Sequence, residues 1–146
     1  MSQFLSHTAV SPLGESRWQA AVHRGWRIGS VANGGYVLAL VGRALSEALH
    51  QPDPLSINAF YLAPVALGEV EVAVDSLSET RSTHFASADL RQEGELKLRA
   101  TAAYTDLDRL SGPDWTNVAP PEVPAFHDVA APAMSHLEIH QSIDLR

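Results

Sequence analysis

Asn33-Gly34-Gly35-Tyr36-Val37-Leu38-Ala39-Leu40-Val41-Gly42-Arg43-Ala44-Leu45-Ser46-Glu47-Ala48-Leu49-His50 is the stretch whose reading decides the fold. From Tyr36 onward it predicts a helix over residues 36–50. Val37, Leu38, Val41, Ala44, Leu45, Ala48 and Leu49 recur at the i, i+3, i+4, i+7 spacing of one apolar stripe. Arg43, Glu47 and His50 fall on the other face, with Arg43 and Glu47 one turn apart. Gln51-Pro52-Asp53-Pro54 stops the helix. Its start is as telling. Two glycines let the backbone approach another group closely, and Asn33 is a favourable N-cap. Bare N–H groups at the positive end of a helix dipole bind a carbonyl oxygen, an oxyanion or a phosphate.

The flanks of this helix read as strands. Trp18, Ala20 and Val22 alternate before it, and Arg24-Gly25 opens a turn ahead of Trp26. Four strand candidates follow, over residues 55–62, 69–77, 82–92 and 96–104. The first is apolar on both parities, which predicts a central strand covered on both faces. The second and fourth alternate cleanly. Gln92-Glu93-Gly94-Glu95 is a hairpin turn with glycine where a positive φ is needed. Short connections make this half an antiparallel meander. One helix cannot cover two sheet faces. The order therefore predicts an α+β hot-dog fold, an antiparallel β-sheet wrapped around one central helix.

Residues 1–110 make up this unit. Residues 111–134 are rich in proline and read as a linker, and residues 135–146 alternate again as an appended strand, the start of a second repeat. An exposed edge predicts a homo-oligomer or pairing with that second repeat.

Bulk composition narrows the function classes. The 146 residues are 45% hydrophobic and 18% charged, an ordinary globular balance. A net charge of −7 and the lack of a basic block argue against nucleic acid as a partner. No apolar run is long enough for a membrane span. The chain has no cysteine, which excludes thiolate metal sites and a cysteine nucleophile. A cytoplasmic protein is the expectation. No dinucleotide motif, phosphate loop or serine-hydrolase elbow occurs, so no cofactor is expected. Seven histidines are present, but neither His136 and His140 nor the scattered His23, His50 and His84 predict a metal site.

Trp26, Asn33-Gly34-Gly35-Tyr36-Val37-Leu38-Ala39, Asp53-Pro54-Leu55-Ser56-Ile57-Asn58-Ala59-Phe60-Tyr61-Leu62-Ala63-Pro64 and Arg81-Ser82 together resemble the acyl-CoA thioesterase II-like family of double hot-dog proteins. The likeness covers roughly residues 18–104. It departs at Ala63, where the family usually has arginine, and at Thr80, where it usually has glycine. The resemblance implies acyl-CoA as substrate and hydrolysis of its thioester. It also implies that this chain corresponds to an N-terminal hot-dog half, with the water-activating side chains of better-known members in the second repeat.

On that reading the catalytic candidates are Asn33, Gly35 and Asn58. The N–H of Gly35 or Tyr36 would hold the thioester oxyanion, and Asn58 would position water. Gly34, Tyr36, Arg81, Ser82 and His84 are the substrate-binding candidates, with Arg81 suited to phosphate. Two alternatives stay open. One is a non-catalytic acyl-CoA-binding or assembly module. The other is a hot-dog hydratase or dehydratase, which would want a His or Asp where Asn33 stands.

Overall fold

In the computed structural model, residues 2–112, 115, 117–130 and 137–143 are described. The predicted helix is present as α2 (Gly34–Ala48), preceded by a short helix α1 (Gln3–His7). The strands are β1 (Ser11–Gly14), β2 (Arg17–Val22), β3 (Arg27–Ile28), β4 (Val31–Ala32), β5 (Asp53–Tyr61), β6 (Gly68–Glu79), β7 (Thr83–Gln92) and β8 (Glu95–Thr105). Six of them form one sheet in the order β1-β2-β6-β7-β8-β5, antiparallel throughout. This is the hot-dog arrangement that the element order predicts.

The inner face of the sheet packs on α2. Val37, Leu40, Val41, Ala44 and Leu45 of the helix are buried. They meet Val70, Val72 and Val74 of β6 and Leu90 and Leu98 of β7 and β8 in one core. At the centre the sheet offers only methyl groups, since Ala86 pairs with Ala102 and Ala88 with Ala100. Small side chains there let the helix axis sit close to the strands, and larger ones would overpack the core. The helix flank that faces solvent carries the expected Arg43–Glu47 pair at 3.6 Å.

Two backbone details shape the far end of the sheet. The β7–β8 turn has positive φ at both Glu93 and Gly94, as a tight hairpin of this twist requires. β6 carries a bulge, because its register with β7 shifts between Ser76 and Ser78. Beyond the bulge, Glu79 lies directly across from His84. The turn that follows is held by Thr80, whose N–H and hydroxyl donate to the Thr83 carbonyl and whose Oγ1 accepts from the Thr83 N–H at 3.0 Å.

The structure corrects two expectations. β5 is not central; it is the last strand of the sheet. Its apolar residues on both parities leave Leu55, Phe60 and Tyr61 exposed rather than covered, as is Leu62 just after it. Glu138–Gln141 forms a single 3-10 turn where alternation suggested a strand. Residues 135, 136 and 144–146 of that expected strand lie outside the described residues. The turn docks back on the domain, with Ile139 buried and Glu138 bound by both Arg24 and Arg27.

Candidate functional site

Asn33 caps α2 in the manner its sequence position suggests. Its Oδ1 accepts from the Tyr36 N–H at 3.1 Å, and its carbonyl accepts from the Val37 N–H at 3.0 Å. The capping loop is anchored on both sides. The Asn33 N–H donates to the Trp26 carbonyl and the Ala32 N–H to the Val65 carbonyl, each at 2.8 Å. The cap consumes the Tyr36 N–H, so the expectation that either Gly35 or Tyr36 offers a free donor narrows to Gly35. The N–H groups of Gly34 and Gly35 meet no acceptor among the described residues. They point outward at the positive end of a helix of 15 residues.

Tyr36 itself turns inward. Its side chain is 2% exposed. The hydroxyl accepts from the His23 N–H at 3.2 Å and donates to the His7 carbonyl at 2.7 Å, with the Ala21 carbonyl 3.1 Å away. Burial pushes the phenol above its ordinary pKa, which keeps it a neutral donor. The ring stacks on Trp26 at 5.5 Å, and the Trp26 indole N–H donates to His7 Nδ1 at 3.1 Å. His7 and His23 stack face to face at 4.0 Å. Tyr36 thus fastens the start of α2 to β2 and α1 instead of lining a ligand face.

A residue that the sequence reading missed stands over the glycines. Tyr61, at the end of β5, donates its hydroxyl to the Gly34 carbonyl at 2.9 Å. A Cβ on Gly34 would come within 3.2 Å of the Tyr61 ring, so glycine is what admits this approach. Its signal lay in Phe60-Tyr61-Leu62-Ala63-Pro64, an aromatic pair at a strand end.

The remaining candidates lie elsewhere. Asn58 pairs with Thr101 on the outer face and is exposed. Ile57 and Ala59 take the inward positions, and the period of two sends Asn58 away from α2. Arg81, Ser82 and His84 gather at the other end of the helix, roughly 22 Å from its start at 1.5 Å per residue. There Gln51, Arg81, Ser82, Thr105, Asp106, Arg109 and Leu110 line an open hollow of about 220 Å³. The Ser82 carbonyl is tied to the Thr105 hydroxyl at 2.8 Å, and Arg109 is neutralised by Asp106 at 2.9 Å. His84 is buried within reach of His50 and Glu79. The structure therefore brings Asn33, Gly34 and Gly35 together and separates them from Asn58 and from Arg81, Ser82 and His84.

A family model for the acyl-CoA thioesterase N-terminal domain matches residues 22–105, from the end of β2 to the end of β8. The chain belongs to this family. A candidate thioesterase II from Thermobifida fusca is 29% identical and superposes with a TM-score of 0.83, over 94% of this chain and 52% of its own. A hot-dog protein of unknown function from Alicyclobacillus acidocaldarius superposes at 0.86 with 23% identity, over 97% of this chain and 53% of its own. A tesB protein from Mycobacterium avium subsp. paratuberculosis does so at 0.69 with 19% identity, over 86% and 49%. These last two bear on the fold alone. The chain spans about half the length of each of these structures. No curated protein matches it. Among the described residues, no helix is long and apolar enough to cross a membrane.

Proposed function

We propose that this thioesterase-like hot-dog domain binds the thioester group of acyl-CoA at the start of α2 and contributes half of a hydrolytic site. The observation that carries the reading is the pair of uncommitted N–H groups on Gly34 and Gly35, held in place by the Asn33 cap. Donors fixed at a helix start stabilise the charge that develops on a carbonyl oxygen when water attacks it. No covalent intermediate is required. Asn33 holds the donors rather than the water, because its Oδ1 is spent on the cap. The water-orienting group then comes from a second hot-dog repeat or a second copy, seated on the open edge of β5. The exposed Leu55, Phe60 and Leu62 support that seat.

A non-catalytic acyl-CoA-binding module is the second reading. It is favoured by the outward orientation of Asn58 and by the commitment of the Asn33 amide to the cap.

The test is hydrolysis of a panel of acyl-CoA thioesters, read by release of free thiol, for this chain and for a longer chain carrying a second repeat. Gly35→Val covers the free N–H and also presses on Asn33 Oδ1, which lies 3.2 Å from a Cβ at that position. Asn33→Asp keeps a capping oxygen and serves as the control. Loss of turnover in Gly35→Val with retention in Asn33→Asp supports the reading. Equal turnover in all forms rejects it, and binding without turnover in either length supports the module.

A further inference from the structure

The far end of α2 brings together three side chains that are dispersed in the sequence. His50 follows the helix, Glu79 ends β6 and His84 is the second residue of β7. His50 Nδ1 is 3.0 Å from Glu79 Oε1. A ring nitrogen of His84 joins them, with one possible ligand atom from each residue all within 4.8 Å of one another. The β6 bulge is what sets the carboxylate opposite the histidine.

His84 supplies the independent observation. It is 4% exposed, and its Nε2 is hydrogen-bonded to the Ser76 hydroxyl at 2.8 Å. Its Nδ1 is buried with no partner among the described residues. A buried ring nitrogen left bare is costly, so an ordinary core histidine is satisfied on both sides. In the tautomer whose Nε2 donates to Ser76, Nδ1 presents a lone pair. A hydrogen bond on the far nitrogen is the support that metal-binding imidazoles use to fix their orientation.

We infer that His50, Glu79 and His84 form a binding site for one zinc-class divalent ion. Two imidazoles and one carboxylate are a donor set for zinc with a fourth position open to water. Imidazole favours zinc, nickel and copper over magnesium and calcium. Around a tetrahedral zinc the donors stand roughly 3.4 Å apart, so the His50–Glu79 pair at 3.0 Å opens slightly while separations of up to 4.8 Å close. His50 and Glu79 reach solvent, with side chains 78% and 45% exposed, and are free to make that adjustment. A bound ion ties the end of α2 to the β6–β7 turn.

The experiment is a Zn²⁺ titration of the untagged full chain in competition with a chromogenic chelator, repeated with Co²⁺ to read coordination geometry. One ion per chain is expected, with the intense visible absorption of tetrahedral Co²⁺ and a Zn²⁺-dependent rise in Tm. His50→Ala and Glu79→Gln are surface changes that leave the core intact. Each is expected to weaken binding more than about tenfold and to remove the Tm rise. His127→Ala, at an exposed histidine far along the chain, is expected to change nothing. No saturable binding, or binding that survives both His50→Ala and Glu79→Gln, overturns the assignment.

Discussion

The Tyr61 hydroxyl donates to the Gly34 carbonyl across 2.9 Å, linking the open edge of the sheet to the first residue of α2. Tyr61 is 53% exposed, so this bond lies at the surface. Tyr61→Phe is expected to cost no more than about 1 kcal/mol in urea unfolding. It is expected to change acyl-CoA binding more than stability, because the ring stands beside the free N–H groups. An unchanged Kd for acyl-CoA would remove Tyr61 from the site.

Tyr36→Phe makes the opposite prediction. This hydroxyl is buried and serves the His23 N–H and the His7 carbonyl. Removing it strands those groups and is expected to cost roughly 1–3 kcal/mol. The comparison of Tyr36→Phe with Tyr61→Phe by chemical denaturation checks the ranking.

The Asn33 cap has its own signature. Asn33→Ala is expected to destabilise the fold by about 1 kcal/mol, and Asn33→Asp by much less, since a carboxylate also caps a helix and complements its dipole. Matching losses in the two variants would contradict the cap.

Glu138 governs docking of the 3-10 turn at Glu138–Gln141. Hydrogen bonds from Arg27 and then Arg24 hold its carboxyl at about 2, below the usual 4.5. A lowered folded pKa means that the unfolded state binds more protons, so the stabilisation is present above pH 4.5 and is lost as pH falls toward 2. Hydrogen exchange over residues 137–143 is expected to accelerate through that window. Glu138→Gln is expected to show fast exchange at neutral pH.

The stacked His7 and His23 set a second pH dependence with its own window. Burial, and then the charge of His7, lowers the His23 pKa below 6.5. The folded state resists this proton, so stability is full above pH 6.5 and declines as pH falls below it. Thermal unfolding as a function of pH is expected to show this slope, flattened in His23→Gln.

Local periodicity made α2, β2 and the β6–β8 meander legible, because burial on one face leaves its period in the residues. It could not show that β5 ends the sheet. Apolar residues on both parities report what a strand can cover, not whether a neighbour is present. Asn33, Gly34 and Gly35 were readable because they are contiguous. The inward turn of the Tyr36 side chain is not legible there, since a helix start shows which residues are present but not how they rotate. His50 and Glu79 are 29 positions apart, and only the sheet topology joins them. The bulge that aligns Glu79 with His84 leaves no mark in composition or alternation.

That bulge decides which residue of β6 stands opposite His84. If the ladder ran unbroken from Ser76 paired with Ala86, with every residue kept, Leu77 would face Phe85 and Ser78 would face His84 in place of Glu79. Straightening the strand, with no residue lost, would exchange a carboxylate for a hydroxyl opposite His84.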